Sequence, residues 1–157
     1  MKIPFFHKKP IDILTTSEKE HIVQAIRQAE CRTSGEIRVF IEQKCQYLDP
    51  VERASELFLQ LQMQQTDNRN AVLLYVALKD QQLAIFGDEG IYKKTGNEYW
   101  EGIVQKILQH FNKENFAEGI ATYIREIGEG LHRYFPYDQT TDQNELPDEI
   151  IFGENLS

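Results

Sequence analysis

The stretch "DNRNAVLLYVALKDQQLAIFGDEGIY", residues 67–92, decides how the chain folds. Its centre, Ala71 to Leu78, is an eight-residue apolar run rich in Val, Leu and Tyr and free of charge. That length and composition predict a strand buried on both faces. "KDQQ", residues 79–82, is too short for a crossover, so "LAIFG", residues 83–87, must return as an antiparallel hairpin partner. Gly87, Asp88, Glu89 and Gly90 follow, two carboxylates bracketed by glycines at the mouth of the sheet. Glycines there permit a positive φ or a close backbone approach, which plain turns and ligand sites both use.

Upstream, "TTSEKEHIVQAIRQAE" reads as a helix, with Ser17 and Glu20 at capping-box spacing and Ile22, Val23, Ile26 and Ala29 on one face. Ser34-Gly35 breaks it. Ile37, Val39 and Ile41 then alternate with Glu36, Arg38 and Glu42, the period of a strand, and Phe40 implies that its polar face is partly covered. "LDPVERASELFLQLQM" is a second helix, with Asp49 as N-cap and Pro50 at the first helical position. Its apolar stripe is Val51, Ala54, Leu57, Phe58 and Leu61.

Downstream, two helices close the domain. Tyr99, Trp100, Ile103, Val104, Ile107, Leu108 and Phe111 form one stripe. Phe116, Ile120, Tyr123, Ile124, Ile127 and Leu131 form the other, and Pro136 ends it. The order α-β-α-β-β-α-α allows a right-handed crossover between the first two strands. It predicts an α/β fold: a three-layer α/β/α sandwich, Rossmann-like, around a small mixed sheet of three or four strands. Residues 1–14 read as an N-terminal arm, 15–136 as the domain, and 137–157 as an acidic C-terminal tail with an apolar island at Ile150 to Phe152. That tail is a candidate arm for a protein partner.

With 157 residues the chain needs no disulfides to hold a core. The formal net charge of −8 argues against nucleic-acid binding, which requires a basic face. No run approaches the ~20 apolar residues of a membrane span, and no export-signal core follows Lys2. Cys31 and Cys45 form no C-x-x-C pair and are expected as free thiols in a reducing, cytoplasmic compartment.

Common catalytic signatures are missing. No Cys has an Arg six residues on, no two aspartates sit two apart, and H-E-x-x-H, G-x-S-x-G and the P-loop are absent. His7, His21, His110 and His132 have no metal-ligand spacing. What remains is polar residues at strand ends: Glu36, Arg38, Asp67 to Asn70, Asp80, Asp88 and Glu89. The antiparallel return of the hairpin places residue 87 beside residue 70. This gathers Asp67, Asn70, Asp88 and Glu89, an oxygen set that points to Ca2+ (or Mg2+) rather than a transition metal. Their repulsion is relieved by the ion or by Arg69. Ligands in open α/β sheets favour the carboxyl ends of parallel strands, and this is the amino end.

The segments "TSGEIRVFIE", "TDNRNAVLLYVALKDQQLAIFGDEGI" and "FNKENFAEGIATYIREIGEGL" resemble the TPM domain family over roughly residues 15–135. The matching steps are Ser34-Gly35, Arg69-Asn70-Ala71-Val72-Leu73-Leu74, Gly87-Asp88-Glu89-Gly90 and Phe116-Ala117-Glu118-Gly119-Ile120. Ala71 stands where the family usually has Gly. The ending "NELPDEIIFGE" is similar to that of short bacterial members without a membrane helix. The resemblance implies a flattened α/β/α sandwich, the acid phosphatase activity described for plant members, and the calcium binding of some bacterial ones. Two functions follow as expectations. One is a binding or scaffold domain with a weak calcium site. The other is a metal-dependent phosphatase of phosphomonoesters, with Arg38 or Arg69 facing the phosphate.

Overall fold

The apolar run of the hairpin lies inside the sheet and its return at the sheet edge in the computed structural model, which describes residues 14–46, 49–109, 116–137 and 149–153. The elements run α1 (Thr16–Glu30), β1 (Glu36–Glu42), α2 (Pro50–Gln60), β2 (Ala71–Ala77), β3 (Gln82–Gly87), α3 (Glu89–Thr95), α4 (Asn97–Leu108), α5 (Phe116–Tyr134) and β4 (Ile151–Phe152). The sheet order is β3-β2-β1-β4. β2 pairs in parallel with β1, Glu36 opposite Ala71, and antiparallel with β3, Val72 opposite Gly87. β4 adds in parallel to the other side of β1, with Ile151 opposite Phe40.

Strand residues alternate between two cores, as the pleat requires. Ile37, Val39, Ile41, Val72, Leu74, Val76, Leu83 and Ile85 pack with α1, α3, α4 and α5. Phe40, Leu73, Tyr75 and Ala84 pack with Ala54, Leu57 and Phe58 of α2 on the opposite face. This is the expected α/β/α sandwich with its mixed sheet. All seven residues of β2 are buried. Each large apolar side chain so buried contributes roughly 1.5–3 kcal/mol, which makes β2 the anchor of both layers.

Several local expectations change. The capping box at α1 uses Thr15 and Glu18, two residues earlier than the Ser17–Glu20 pair, because Leu14 is buried and sets where the helix starts. Asp49 caps α2 as expected, its side chain accepting from Val51 N. Val51 itself is 46% exposed and leaves the core stripe. The polar face of β1 is partly covered, as expected, with Glu36 and Arg38 buried and Glu42 half-buried. Two elements were not anticipated. α3 follows β3 directly, and β4 is drawn from the tail set apart at 137–157. The N-terminal arm up to residue 13, His110, Phe111 and the tail segment 138–148 lie outside the described residues.

Candidate functional site

The GDEG segment is a strand-to-helix junction. Gly87 ends β3, Asp88 caps α3, and Gly90 lies inside that helix. Asp88 N donates to Ala71 O at 3.0 Å and Gly90 N donates to Arg69 O at 3.0 Å, so the junction is tied to the entry of β2. Neither Gly87 nor Gly90 has a positive φ, which removes the turn explanation for them. Gly90 is required by close approach instead. A Cβ there would lie 2.3 Å from Asn68 O and 2.6 Å from Arg69 O.

Arg69 crosses this junction. Its Nε donates to Asp88 Oδ2 at 2.7 Å, its Nη2 to Asp88 Oδ1 at 2.8 Å, and its Nη1 to Glu89 Oε1 at 3.4 Å. Asp88 Oδ1 also accepts from Glu89 N at 2.8 Å. The bidentate bond to Asp88 raises the Arg69 pKa further above its ordinary value. Arg69 itself sits at φ 49°, a conformation costing an L-residue roughly 1–2 kcal/mol. Gln62 and Gln81 share this left-handed conformation at φ 58° and 53°.

Asn70, next in the chain, is completely buried. Its Nδ2 donates to Ser34 Oγ at 3.2 Å and its carbonyl accepts from Glu36 N at 3.3 Å. Its Oδ1 has no hydrogen-bond partner among the described residues. Beside this cluster opens a cavity of about 580 Å3, lined by Asp67, Arg69 and Glu89, by Lys93 and Lys94 of α3, and by Ser34, Tyr134 and Phe135. Lys94 Nζ donates to Tyr134 O at 3.1 Å and lies 4.5 Å over the Phe135 ring.

The expected juxtaposition therefore forms in part. Asp67 and Glu89 face one cavity, Asp88 lies under the Arg69 fork, and Asn70 is buried beneath and does not line the cavity. Calcium takes six to eight oxygens. Both Asp88 oxygens already accept hydrogen bonds, and no group of three or more His, Cys, Asp or Glu stands ready for a metal among the described residues. The donor set as it stands does not form the closed oxygen shell of a resident ion.

Arg38 is not brought to this cavity. It lies on the α2 face of β1, where burial lowers its pKa and the charges of Glu149 and Glu30 oppose that effect. Asp80 accepts from Cys45 N at 2.8 Å and ties two loops. His21 pairs with Glu118 across α1 and α5, and His132 contacts Arg32 O. Sequence reasoning missed Lys93, Lys94 and the Tyr134–Phe135 wall. Reading Asp88 as an N-cap would have found the lysines, one turn further along the same short helix.

A family model described as TPM domain matches residues 8–130. The chain belongs to the TPM domain family. The solution structure of the BA42 protein from the psychrophilic bacterium Bizionia argentinensis is 39% identical, with a TM-score of 0.81 over 89% of this chain and 95% of that one. The N-terminal domain of a Corynebacterium glutamicum protein is 14% identical and shares the fold alone, with a TM-score of 0.61 over 83% of this chain and 85% of that one. No curated protein matches the chain. Among the described residues of this TPM domain, no helix is long and apolar enough to cross a membrane.

Proposed function

We propose that this TPM domain is a cytoplasmic binding domain whose rim cavity holds a divalent cation weakly, calcium before magnesium. The observation that carries the reading is the Arg69 fork on Asp88 and Glu89 beside Asp67. The acids already bind a cationic group there, and a divalent ion competes with it. Calcium accepts irregular sets of carboxylate and amide oxygens, whereas magnesium demands a near-octahedral shell. The free thiols of Cys31 and Cys45 agree with a reducing compartment.

The test is calcium titration read by thermal melting. Calcium at 100 times its Kd stabilises by about 2.7 kcal/mol, a rise of about 5–10 °C for a domain of this size. Arg69→Ala should bind calcium more tightly, because the competitor is gone. An unchanged wild-type midpoint, or an Asp88→Ala/Glu89→Ala double variant that responds like wild type, would remove the cation site.

A second reading, hydrolysis of phosphomonoesters, is favoured by Lys93, Lys94 and Arg69 lining one cavity with carboxylates. Its test is turnover of p-nitrophenyl phosphate by wild type and Asp88→Ala, with and without calcium or magnesium. Turnover that Asp88→Ala leaves unchanged would rule out this cavity as its seat.

A further inference from the structure

Among the described residues β3 is an edge strand, because the sheet ends with it. Its hydrogen-bonding phase follows from Asp88 N donating to Ala71 O. Antiparallel pairs alternate between bonded and non-bonded. Starting from the 88–71 pair, Phe86 and Ala84 face β2, while Gly87, Ile85 and Leu83 present their backbone N–H and C=O groups away from it. Alongside this edge runs a groove of about 260 Å3. Its wall is Leu83 and Ile85 of β3, Trp100 and Val104 of α4, and Val51 of α2. Among the described residues the one charged side chain lining it is Glu101, beside Asn97 and Gln105. Val51 faces solvent at 46% exposure although it is a large apolar residue in the first turn of a helix.

We propose that this edge is a docking site for an extended segment of a partner protein, added as a fifth strand on β3. The segment carries apolar residues at alternate positions and a Lys or Arg beside them. Each feature follows from the groove. Outward backbone groups at Leu83 and Ile85 supply main-chain hydrogen bonds to an added strand. A segment residue opposite either of them projects to the same face as its partner, onto Trp100 and Val104, so apolar residues recur two apart. The residue between them projects towards Val51. Glu101 and the net charge of −8 select a basic segment and disfavour a second copy of this chain. The site is independent of the rim cavity, which lies at the other end of β3 and shares no lining residue with it.

The probe is a fluorescein-labelled synthetic nonapeptide, Lys-Thr-Val-Thr-Ile-Thr-Val-Thr-Lys, titrated with the full chain by fluorescence anisotropy and by amide chemical shifts. Saturable binding is expected, with shifts confined to β3, α4 and the first turn of α2. Glu101→Lys, an exposed helical change that leaves the core intact, should weaken binding about fivefold, the scale of a lost exposed ion pair. Replacing both peptide lysines by glutamate should weaken it similarly. N-methylation of the central isoleucine should abolish binding, because it removes a main-chain donor. No saturable binding, equal binding of the N-methylated peptide, or shifts elsewhere would overturn the proposal. So would concentration-dependent dimerisation through β3 in sedimentation experiments, which would make a second copy the occupant.

Discussion

Gly90→Ala should destabilise the protein while Gly102→Ala stabilises it, although both glycines lie in helices. At Gly102 of α4 an added Cβ meets nothing within 4 Å. The substitution there removes the conformational freedom of glycine from the unfolded chain and should add about 0.5–1 kcal/mol. At Gly90 the same methyl would sit 2.3 Å from Asn68 O, about 1 Å inside ordinary contact, and the obstacle is backbone. Relief requires the Asn68–Arg69 segment to shift, yet Arg69 is held by Asp88 and by its carbonyl bond to Gly90 N. Overpacking costs about 1–3 kcal/mol, and loss of the Gly90 hydrogen bond adds about 1 kcal/mol. The helix-propensity gain returns about 1 kcal/mol. The net expectation is a loss of about 1–3 kcal/mol, or about 3–10 °C in the melting midpoint. Urea unfolding of wild type and both variants, with m unchanged, provides the assay. A Gly90→Ala protein as stable as wild type would refute the close-approach argument and, with it, the tight coupling of α3 to the entry of β2.

The Glu42 cluster predicts alkaline sensitivity. Burial first, and then its hydrogen bond to Glu42, push the Tyr75 phenol well above its ordinary value. A raised folded pKa means that this stability is complete below the unfolded value near 10 and is lost as pH rises beyond it. Unfolding free energy should therefore fall above about pH 10, and Tyr75→Phe should flatten that fall. A Tyr75→Phe protein with the wild-type pH slope would refute the assignment. Gly128→Ala should separate α1 from α5, because its Cβ would lie 2.6 Å from Ala29 Cβ. Combining it with Ala29→Gly should recover part of the loss, a coupling of about 0.5–3 kcal/mol in a double-mutant cycle, and simple additivity would contradict the contact. Finally, Ellman's reagent should titrate two thiols, exposed Cys31 before half-buried Cys45. A mass shift of two hydrogens on reduction would overturn the free-thiol assignment.

The hairpin was legible because its signals agree: an eight-residue apolar run, a connection too short for a crossover, and an apolar return. The Arg69–Asp88 contact was legible from the same topology, since antiparallel pairing fixes which strand ends meet. The capping box was misplaced because Thr15–Glu18 and Ser17–Glu20 have the same spacing, and only the burial of Leu14 chooses between them. α3 escaped because seven residues with one buried member, Ile91, are too few to show a period. β4 is two residues long and exists through its pairing with Phe40 and Ile41. The aromatic wall of the rim cavity was beyond reach for another reason. Phe135 arrives from the end of α5, where its carbonyl accepts from Ser34 N and Thr33 bridges to Pro136. Contacts that span a hundred residues leave no local pattern.

The two ends of the parallel pair are built differently. Open α/β sheets usually bind ligands at the carboxyl ends of their strands. Here that end of β1 is occupied by its own side chains. Glu42 accepts from Arg53 Nε at 3.0 Å and Nη2 at 3.1 Å and from the Tyr75 hydroxyl, and Arg53 lies 5.8 Å over the Phe40 ring. Every polar atom in that set is served from within the protein. At the amino end the accounts differ: Asn70 Oδ1 has no partner among the described residues, Asp67 and Glu89 face a cavity, and the compensating Arg69 is 42% exposed and held in a strained conformation. A more exposed guanidinium is held less tightly by its carboxylates than a half-buried one packed over an aromatic ring. The asymmetry between Arg53, 19% exposed, and Arg69, 42% exposed, thus sets the amino edge apart as the end whose charged cluster water reaches.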